Sequence, residues 1–460
     1  MKGSFQDKIQ SILTPLAVKI GNKPMLLTIR DSFLGVFPVI MTGSIVVLVT
    51  ALLTDFPSQF GITWPFETFK WLIDINTLIY RGTISVISLA FVVSLGMNIA
   101  KMYKQDLLSS SIIALSGFII ALGNSIIQNF TVSQEQYHIV APILKQIEGI
   151  NVTKDGFSIE VNNLISQSQI GASGYFAAMI IGFLSSWIYC KLMNKNLKIK
   201  LPSSVPPSVA KPFESIIPGF GALFVIGVLT WGFQAITNNN IIDWMYSALQ
   251  LPLLGLSQNY FAVLVVIILN VGFGFFGLHG GALLSPIMEG LFGVAMIANL
   301  EAYQSGQELP YIWNSGSFGS FVWYGSVGCC IALFVYAKSA NYKELAKLAA
   351  GPLVFNIGEP MQFGLPVVLN ITYLIPSFLC PIVMSAIAYC ATYFGLMDPV
   401  SQNVTWVMPP ILYGFFATAF DWRAIVVSII NIFVAFLIYT PFVKIADKQL
   451  LQESEINSDK

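Results

Sequence analysis

The chain has 460 residues, of which 55% are hydrophobic and only 10% charged, with 23 basic and 23 acidic side chains cancelling to a formal net charge of zero. Soluble domains carry roughly 25% charged residues, so this composition excludes a chain whose whole surface is wetted by water. With no basic excess it also offers no nucleic-acid-binding surface, and the expectation is a polytopic membrane protein.

In chain order, the apolar positions of Phe5–Ile20 recur with helical period among Lys and Gln, without the small-residue cleavage site of a signal peptide. They predict an amphipathic helix on the membrane surface, with a disordered leader as the alternative. Charge-free runs long enough to cross a hydrocarbon core follow at Phe33–Leu53, Gly82–Ala100, Leu107–Ile127, Ile170–Cys190, Ser215–Ile236, Tyr260–Leu278, Phe318–Ala337 and Ala424–Val443. They imply helices, because a lipid-exposed strand edge would leave backbone groups unpaired. The polar stretch 129–169 reads as the longest outer loop, a cap over an entrance or a tolerated insertion. Lys191–Lys211, rich in Lys and Pro, reads as a cytoplasmic boundary or hinge.

Placing both termini in the cytoplasm puts all but Lys70, Arg81, Lys145, Lys154 and Arg423 of the 23 Lys and Arg residues on that side, as the positive-inside rule requires. Cys190, Cys329, Cys330, Cys380 and Cys390 lie in or at the ends of apolar runs without metal-like spacing. They read as packing residues, and neither a disulfide framework, a metal site nor a cofactor is expected. No short-period repeat is evident.

Beyond Asn238 the character changes. No charge occurs from Trp244 to Met288, yet Gly and Pro are frequent, which predicts helices broken at membrane depth around a protein-lined cavity. Two constellations stand out there. The first runs from Asn270 through a Gly- and Phe-rich stretch to His279, Gly280 and Gly281. Its glycines allow a helix to end or reverse inside the protein, and His279 would hang at the turn. An ionisable group at membrane depth is a functional candidate; the alternative is a neutral His satisfied by a nearby carbonyl.

The second runs Asn356-Ile-Gly-Glu359-Pro-Met-Gln-Phe363-Gly-Leu-Pro366 and places Glu359 before the charge-free run Pro360–Met397. Pro360 biases Glu359 away from helical geometry. A carboxylate accepts from two hydroxyls at once, which suits a polyol, although capping a helix is the alternative. Trp313, Trp323, Trp406 and Phe363 are candidate platforms for the apolar face of a sugar ring, against the commoner role of packing or interface anchor. Arg81 reads as an interface anchor or ligand contact, His138 as an idle loop residue. Glu289 could face a cavity or pair with another polar group.

At these constellations the chain resembles enzyme IIC, the membrane subunit of the phosphotransferase system, in its lactose/cellobiose/diacetylchitobiose branch. The resemblance covers nearly the whole chain. It rests on Arg30-Asp31-Ser32-Phe33 with Pro38 and Gly43-Ser44, on Phe276-Gly277-Leu278-His279-Gly280, on the Asn356–Pro366 stretch, on Asp421-Trp422-Arg423 and on Tyr439-Thr-Pro441-Phe442. It implies an all-α protein of about ten transmembrane helices, two re-entrant hairpins and amphipathic interfacial helices. Residues 1–240 would form a dimer-interface domain, 241–445 a sugar-binding transport domain and 446–460 a polar cytoplasmic tail.

The resemblance further implies import of a β-linked disaccharide, cellobiose foremost, across the bacterial cytoplasmic membrane by an elevator-type movement of a homodimer. Glu359, His279, Asn356, Gly280, Phe363 and Trp406 would hold the sugar, with Glu359 and His279 beside the hydroxyl that is phosphorylated. The phosphoryl group would come from a phosphocysteine on a cytoplasmic IIB chain charged by IIA. Both are expected as separate chains, since only a short polar tail follows Lys444. From residue chemistry alone two alternatives stay open: a proton-coupled secondary sugar transporter using Glu359, and a sugar receptor or channel without turnover.

Overall fold

The computed structural model describes residues 24–131, 141–144, 149–152, 156–202, 205–275, 280–365 and 370–458. The amphipathic N-terminal segment and His138 lie outside them. The described chain is predominantly helical, and eight of its helices are long and apolar enough to cross a membrane. A ninth arises if the pair Ile241–Ser257 and Tyr260–Phe275, bent by 71°, counts as one span. Six spans coincide with charge-free runs of the sequence. Gly280–Gln304 and Thr372–Tyr393 are two further spans, each interrupted in sequence by Pro or by a lone Glu.

Besides a buried apolar core, many large apolar side chains face outward. On helix Ile216–Thr237 the outward Phe220 is 68% exposed, Trp231 73% and Ile236 85%. Such a face is stable only in lipid, where helix contacts then depend on close packing rather than on hydrophobic burial. Small residues supply that packing. A Cβ on Gly96 would come within 2.8 Å of the Ala114 Cβ, and one on Gly117 within 2.8 Å of Ser185 Oγ, so helices Ile87–Tyr103, Leu107–Ala121 and Tyr175–Asn194 meet backbone to backbone.

The run expected as one span at Leu107–Ile127 is shorter. The helix ends at Ala121, and Ser125–Thr131 is a strand, β1, in a three-stranded antiparallel sheet of order β1-β3-β2 with β2 at Ile150–Val152 and β3 at Gly156–Asn162. Phe130 stacks on its cross-strand partner Phe157 with ring centroids 4.9 Å apart. The stretch 129–169 therefore carries most of a small sheet, which its polar, charge-poor composition did not disclose.

The contacts divide the chain into two compact units. Ser85–Leu251 form one; the residues up to Ile84 and those from Pro252 onward form the other. In the first unit Asp106 caps helix Leu107–Ala121, accepting from Ser109 N–H at 3.0 Å and Ser109 Oγ at 2.9 Å, with Lys211 Nζ 3.3 Å away. The backbone bond from Ser109 is the main reason its carboxyl is held below the ordinary value.

The second unit packs around Trp313, Phe318, Phe321 and Phe292, all buried. At one end of helix Trp422–Ser458, Asp421 accepts from Asp398 N–H at 2.8 Å and from Arg423 Nε at 2.8 Å, while Arg423 also reaches Asp398 at 2.9 Å. The Asp421-Trp422-Arg423 motif thus clasps the helix start to the preceding loop. Among the cysteines, Cys190, Cys329, Cys330 and Cys380 are buried as expected of packing residues, whereas Cys390 is exposed.

Candidate functional site

A cavity of about 460 Å³ opens in the second unit, between helix Tyr260–Phe275, the broken span Ser315–Tyr336, the turn at Asn356–Gly358 and helix Ile371–Tyr393. Two of these walls depart from regular, proline-free helix. Span Ser315–Tyr336 breaks at Val322–Tyr324, and Pro376 and Pro381 lie inside helix Ile371–Tyr393. Broken backbone at membrane depth is tolerated where it borders protein or a polar cavity, so the Gly and Pro residues that set the second half apart frame this space.

Both sequence constellations reach it. Phe275, the last described residue before Phe276–His279, and Gly358, immediately before Glu359, border the same cavity. His279 itself lies outside the described residues. Gly280 resumes the chain pressed against Asn270, a cavity residue: a Cβ on Gly280 would lie 2.6 Å from Asn270 Oδ1 and 2.9 Å from its Cα. No larger residue fits without moving that backbone.

Glu359 is the first residue of the short helix Glu359–Gly364, with Pro360 in its first turn, where a missing N–H costs nothing. Its side chain and that of Phe363, in the same helix, are outside what the structure describes. The turn before it is fixed by Asn356. Its φ of 59° is left-handed, its N–H donates to Leu353 O at 3.1 Å, and its Nδ2 donates to Trp406 O at 3.0 Å. That bond ties the Glu359 turn to the segment carrying Trp406, and both Asn356 and Trp406 line the cavity.

The four candidate aromatic platforms separate. Trp406 is 54% exposed and borders the cavity. Trp323 also borders it and is backed by Phe318, stacked at 5.7 Å with an interplanar angle of 11°. Trp313 is fully buried, edge-on to Phe318 at 5.5 Å, so it is a core residue and not a platform. Phe363 stands in the cavity-side helix by its main chain alone.

Arg81 is exposed in the last turn of helix Lys70–Gly82 and does not line the cavity. Glu289 is half-buried in the π-helical turn Met288–Gly293, also away from it. No group of metal-ligating side chains occurs among the described residues.

Polar cavity residues that sequence reasoning does not assign to the site are Asn270, Ser326, Ser377, Tyr413 and Tyr439. Asn270 opens the first constellation and Tyr439 the Tyr439–Phe442 segment, in neither case with a role that sequence alone attaches to it. The others are single hydroxyls in apolar runs, and only packing reveals which face they occupy. Together the walls offer two indole rings for an apolar ring face and scattered hydroxyl and amide groups at its edges, the combination a pyranose requires.

Comparison with known proteins agrees with this architecture. The family "Phosphotransferase system, EIIC" matches residues 30–381. The chain is 34% identical to the cellobiose-specific EIIC component of the phosphotransferase system of Lactococcus lactis subsp. lactis, over 98% of this chain and 99% of that protein. It is 30% identical to the oligo-beta-mannoside-specific EIIC component of Bacillus subtilis, over 98% and 96% respectively. Among solved structures it is similar to the transporter ChbC, the IIC component of an N,N'-diacetylchitobiose-specific phosphotransferase system. That match has a TM-score of 0.85 and 28% identity, covering 97% of this chain and 99% of that one. The similarity runs end to end and includes both constellations that border the cavity: this polytopic membrane protein belongs to the phosphotransferase system EIIC family.

Proposed function

We propose that the chain is the sugar-translocating permease of a phosphoenolpyruvate-dependent phosphotransferase system and that it imports a β-linked disaccharide, with cellobiose the first to test. The observation that carries the reading is the cavity of about 460 Å³, bounded by Trp323, Trp406 and Asn356 and entered by the main chain just ahead of Glu359. Relatives that act on cellobiose and on oligo-beta-mannosides support the β-linked class.

In this reading the pyranose packs against the indole rings while Glu359 accepts hydrogen bonds from two of its hydroxyls. Glu359 and His279 stand beside the hydroxyl to be phosphorylated, and Glu359 takes up its proton. The phosphoryl group arrives from a phosphocysteine of a cytoplasmic IIB partner that IIA recharges. Phosphorylation adds nearly two negative charges, so the product cannot return through an apolar path and no ion gradient is needed. Carriage between faces is an elevator-type movement within a homodimer, with the dimer contact formed by N-terminal helices within 1–240, the sugar carried by 241–445, and both termini and the tail 446–460 in the cytoplasm.

The test is phosphorylation of a panel of radiolabelled disaccharides by membranes containing this chain with its cognate IIA and IIB and phosphoenolpyruvate. Appearance of cellobiose phosphate without an imposed ion gradient supports the reading. Accumulation of unmodified sugar driven by a proton gradient, without phosphoenolpyruvate, would replace it with secondary transport.

A further inference from the structure

We infer that Ser326 is a specificity-determining residue of the sugar site, contributing a hydroxyl that hydrogen-bonds a sugar hydroxyl next to Glu359; the inference rests on the proposed sugar-permease reading. Ser326 is the second residue of helix Gly325–Tyr336, is half-buried and lines the cavity. Its Oγ faces the turn that leads into Glu359: a Cβ on Gly358 would lie 3.1 Å from it.

Its position gives the hydroxyl its meaning: Ser85, Ser320 and Ser428 also lack a partner among the described residues but are buried and do not line the cavity, whereas Ser326 borders it. Serine and threonine hydroxyls in helices usually satisfy themselves by donating to the carbonyl three or four residues back. This chain follows that habit widely, with Ser111 donating to Leu107 O at 2.8 Å, Ser185 to Ile181 O at 2.7 Å, Thr392 to Ala388 O at 3.0 Å and Thr440 to Phe436 O at 2.7 Å. Ser326 stands in the first turn of its helix, where the residues three and four back belong to the break at Val322–Tyr324, and it has no hydrogen-bond partner among the described residues. A hydroxyl at a cavity wall, within an apolar span and with no partner among the described residues for its donor or its acceptor, is a group available to the cavity's occupant.

The neighbouring Gly358 belongs to the same device. With hydrogen in place of a side chain, it lets the Ser326 hydroxyl rotate freely towards a ligand. A methyl there would crowd the oxygen.

The experiment measures cellobiose binding to the purified full chain in nanodiscs, for wild type, Ser326→Ala, Gly358→Ala and the double variant, with a set of monodeoxy cellobioses. Loss of one neutral hydrogen bond predicts about three- to tenfold weaker binding of cellobiose by Ser326→Ala. One deoxy analogue, lacking the contacted hydroxyl, should bind wild type and variant equally. The sugar-free unfolding midpoint of Ser326→Ala should match wild type, because the hydroxyl has no structural partner to lose.

Gly358→Ala should weaken cellobiose binding in the serine background and cost less in the alanine background. Unchanged cellobiose affinity in Ser326→Ala overturns the assignment. So does an equal loss for every analogue accompanied by a lowered unfolding midpoint. Wild-type protein that binds no β-linked disaccharide overturns the permease reading, and this inference with it.

Discussion

Replacing Asn356 in turn by glycine, alanine and aspartate separates the two things this residue does. It holds a left-handed backbone, φ 59°, and donates Nδ2 to Trp406 O at 3.0 Å. Left-handed geometry costs an ordinary L-residue roughly 1–2 kcal/mol, but little for Asn or Gly. A neutral hydrogen bond at a partly open site is worth about 0.5–1 kcal/mol, the lower part of the usual range.

Glycine therefore loses only the bond, about 1 kcal/mol, whereas alanine loses the bond and bears the strain, about 2 kcal/mol. If the turn must be formed for sugar to bind, the competent fraction falls and the apparent affinity with it. Full transmission of these costs to binding gives about fivefold for glycine and about thirtyfold for alanine. Aspartate tolerates the backbone but turns an acceptor towards the Trp406 carbonyl, so it should fall at or beyond glycine. Isothermal titration of each purified variant with cellobiose is the assay. Equal affinities for glycine and alanine would refute the strain argument, and wild-type affinity in all three would show that the bond to Trp406 does not organise the site.

Glu359→Gln should weaken sugar binding about ten- to hundredfold, the range for hydrogen bonds to a charged group, and His279→Ala should impair phosphoenolpyruvate-dependent uptake. Normal uptake in both variants would remove the pair from the site. Gly280→Ala forces a methyl against the Asn270 backbone and should cost about 1–3 kcal/mol, read as a lowered unfolding midpoint that bound sugar partly restores. Asp106→Ala should cost about 1 kcal/mol for the lost cap. Because the Asp106 carboxyl is held below its ordinary value when folded, its contribution is complete above about pH 4 and disappears as pH falls through the folded value. The gap in unfolding midpoint between wild type and Asp106→Ala should accordingly stay constant from pH 5 to 8 and close in stronger acid; a gap that widened in acid would contradict the cap.

Sequence disclosed most where one physical signal dominates. Runs without charge located six spans, because lipid tolerates no other composition. The same rule overran at Leu107–Ile127, since Ile126 and Ile127 are as apolar in strand β1 as they would be in a helix. It also left Gly280–Gln304 and Thr372–Tyr393 uncounted, where Glu289, Pro286, Pro376 and Pro381 argue locally against a span that packing nevertheless builds. Asn356 and Gly358 were legible because polar residues punctuated by Gly and Pro inside an apolar half cannot continue a span and must make a turn within the protein. Ser326 and Tyr439 were not, because a single hydroxyl in an apolar run acquires meaning only from the face it occupies. Trp313 and Trp323, ten positions apart, are indistinguishable in sequence and opposite in fate: one is sealed in the core, the other borders the cavity.

Packing also bears on which helices would travel with the sugar. The change of character beyond Asn238 invites a boundary near residue 240, yet helix Pro24–Leu53 and the short helix Asp55–Ser58 that follows it pack in the unit that holds the cavity. Phe56 meets Phe420 at 5.3 Å and Phe415 at 6.1 Å, and the Tyr303 hydroxyl donates to the Asp55 carboxylate. Aromatic contacts of this kind are worth about 0.5–1.5 kcal/mol each beyond the area they bury, enough in combination to hold the end of one helix against its neighbour. Cysteines at Asp55 and Tyr303, joined by a short bifunctional thiol reagent in a background where the exposed Cys390 is serine, would make that contact permanent. If helix Pro24–Leu53 moves with the cavity, as its packing predicts, the tethered protein still transports at the rate of its untethered form. Arrest on tethering, reversed when the linker is cleaved, would instead place this helix with the proposed dimer contact and return the dividing line to the far side of span Val209–Thr237.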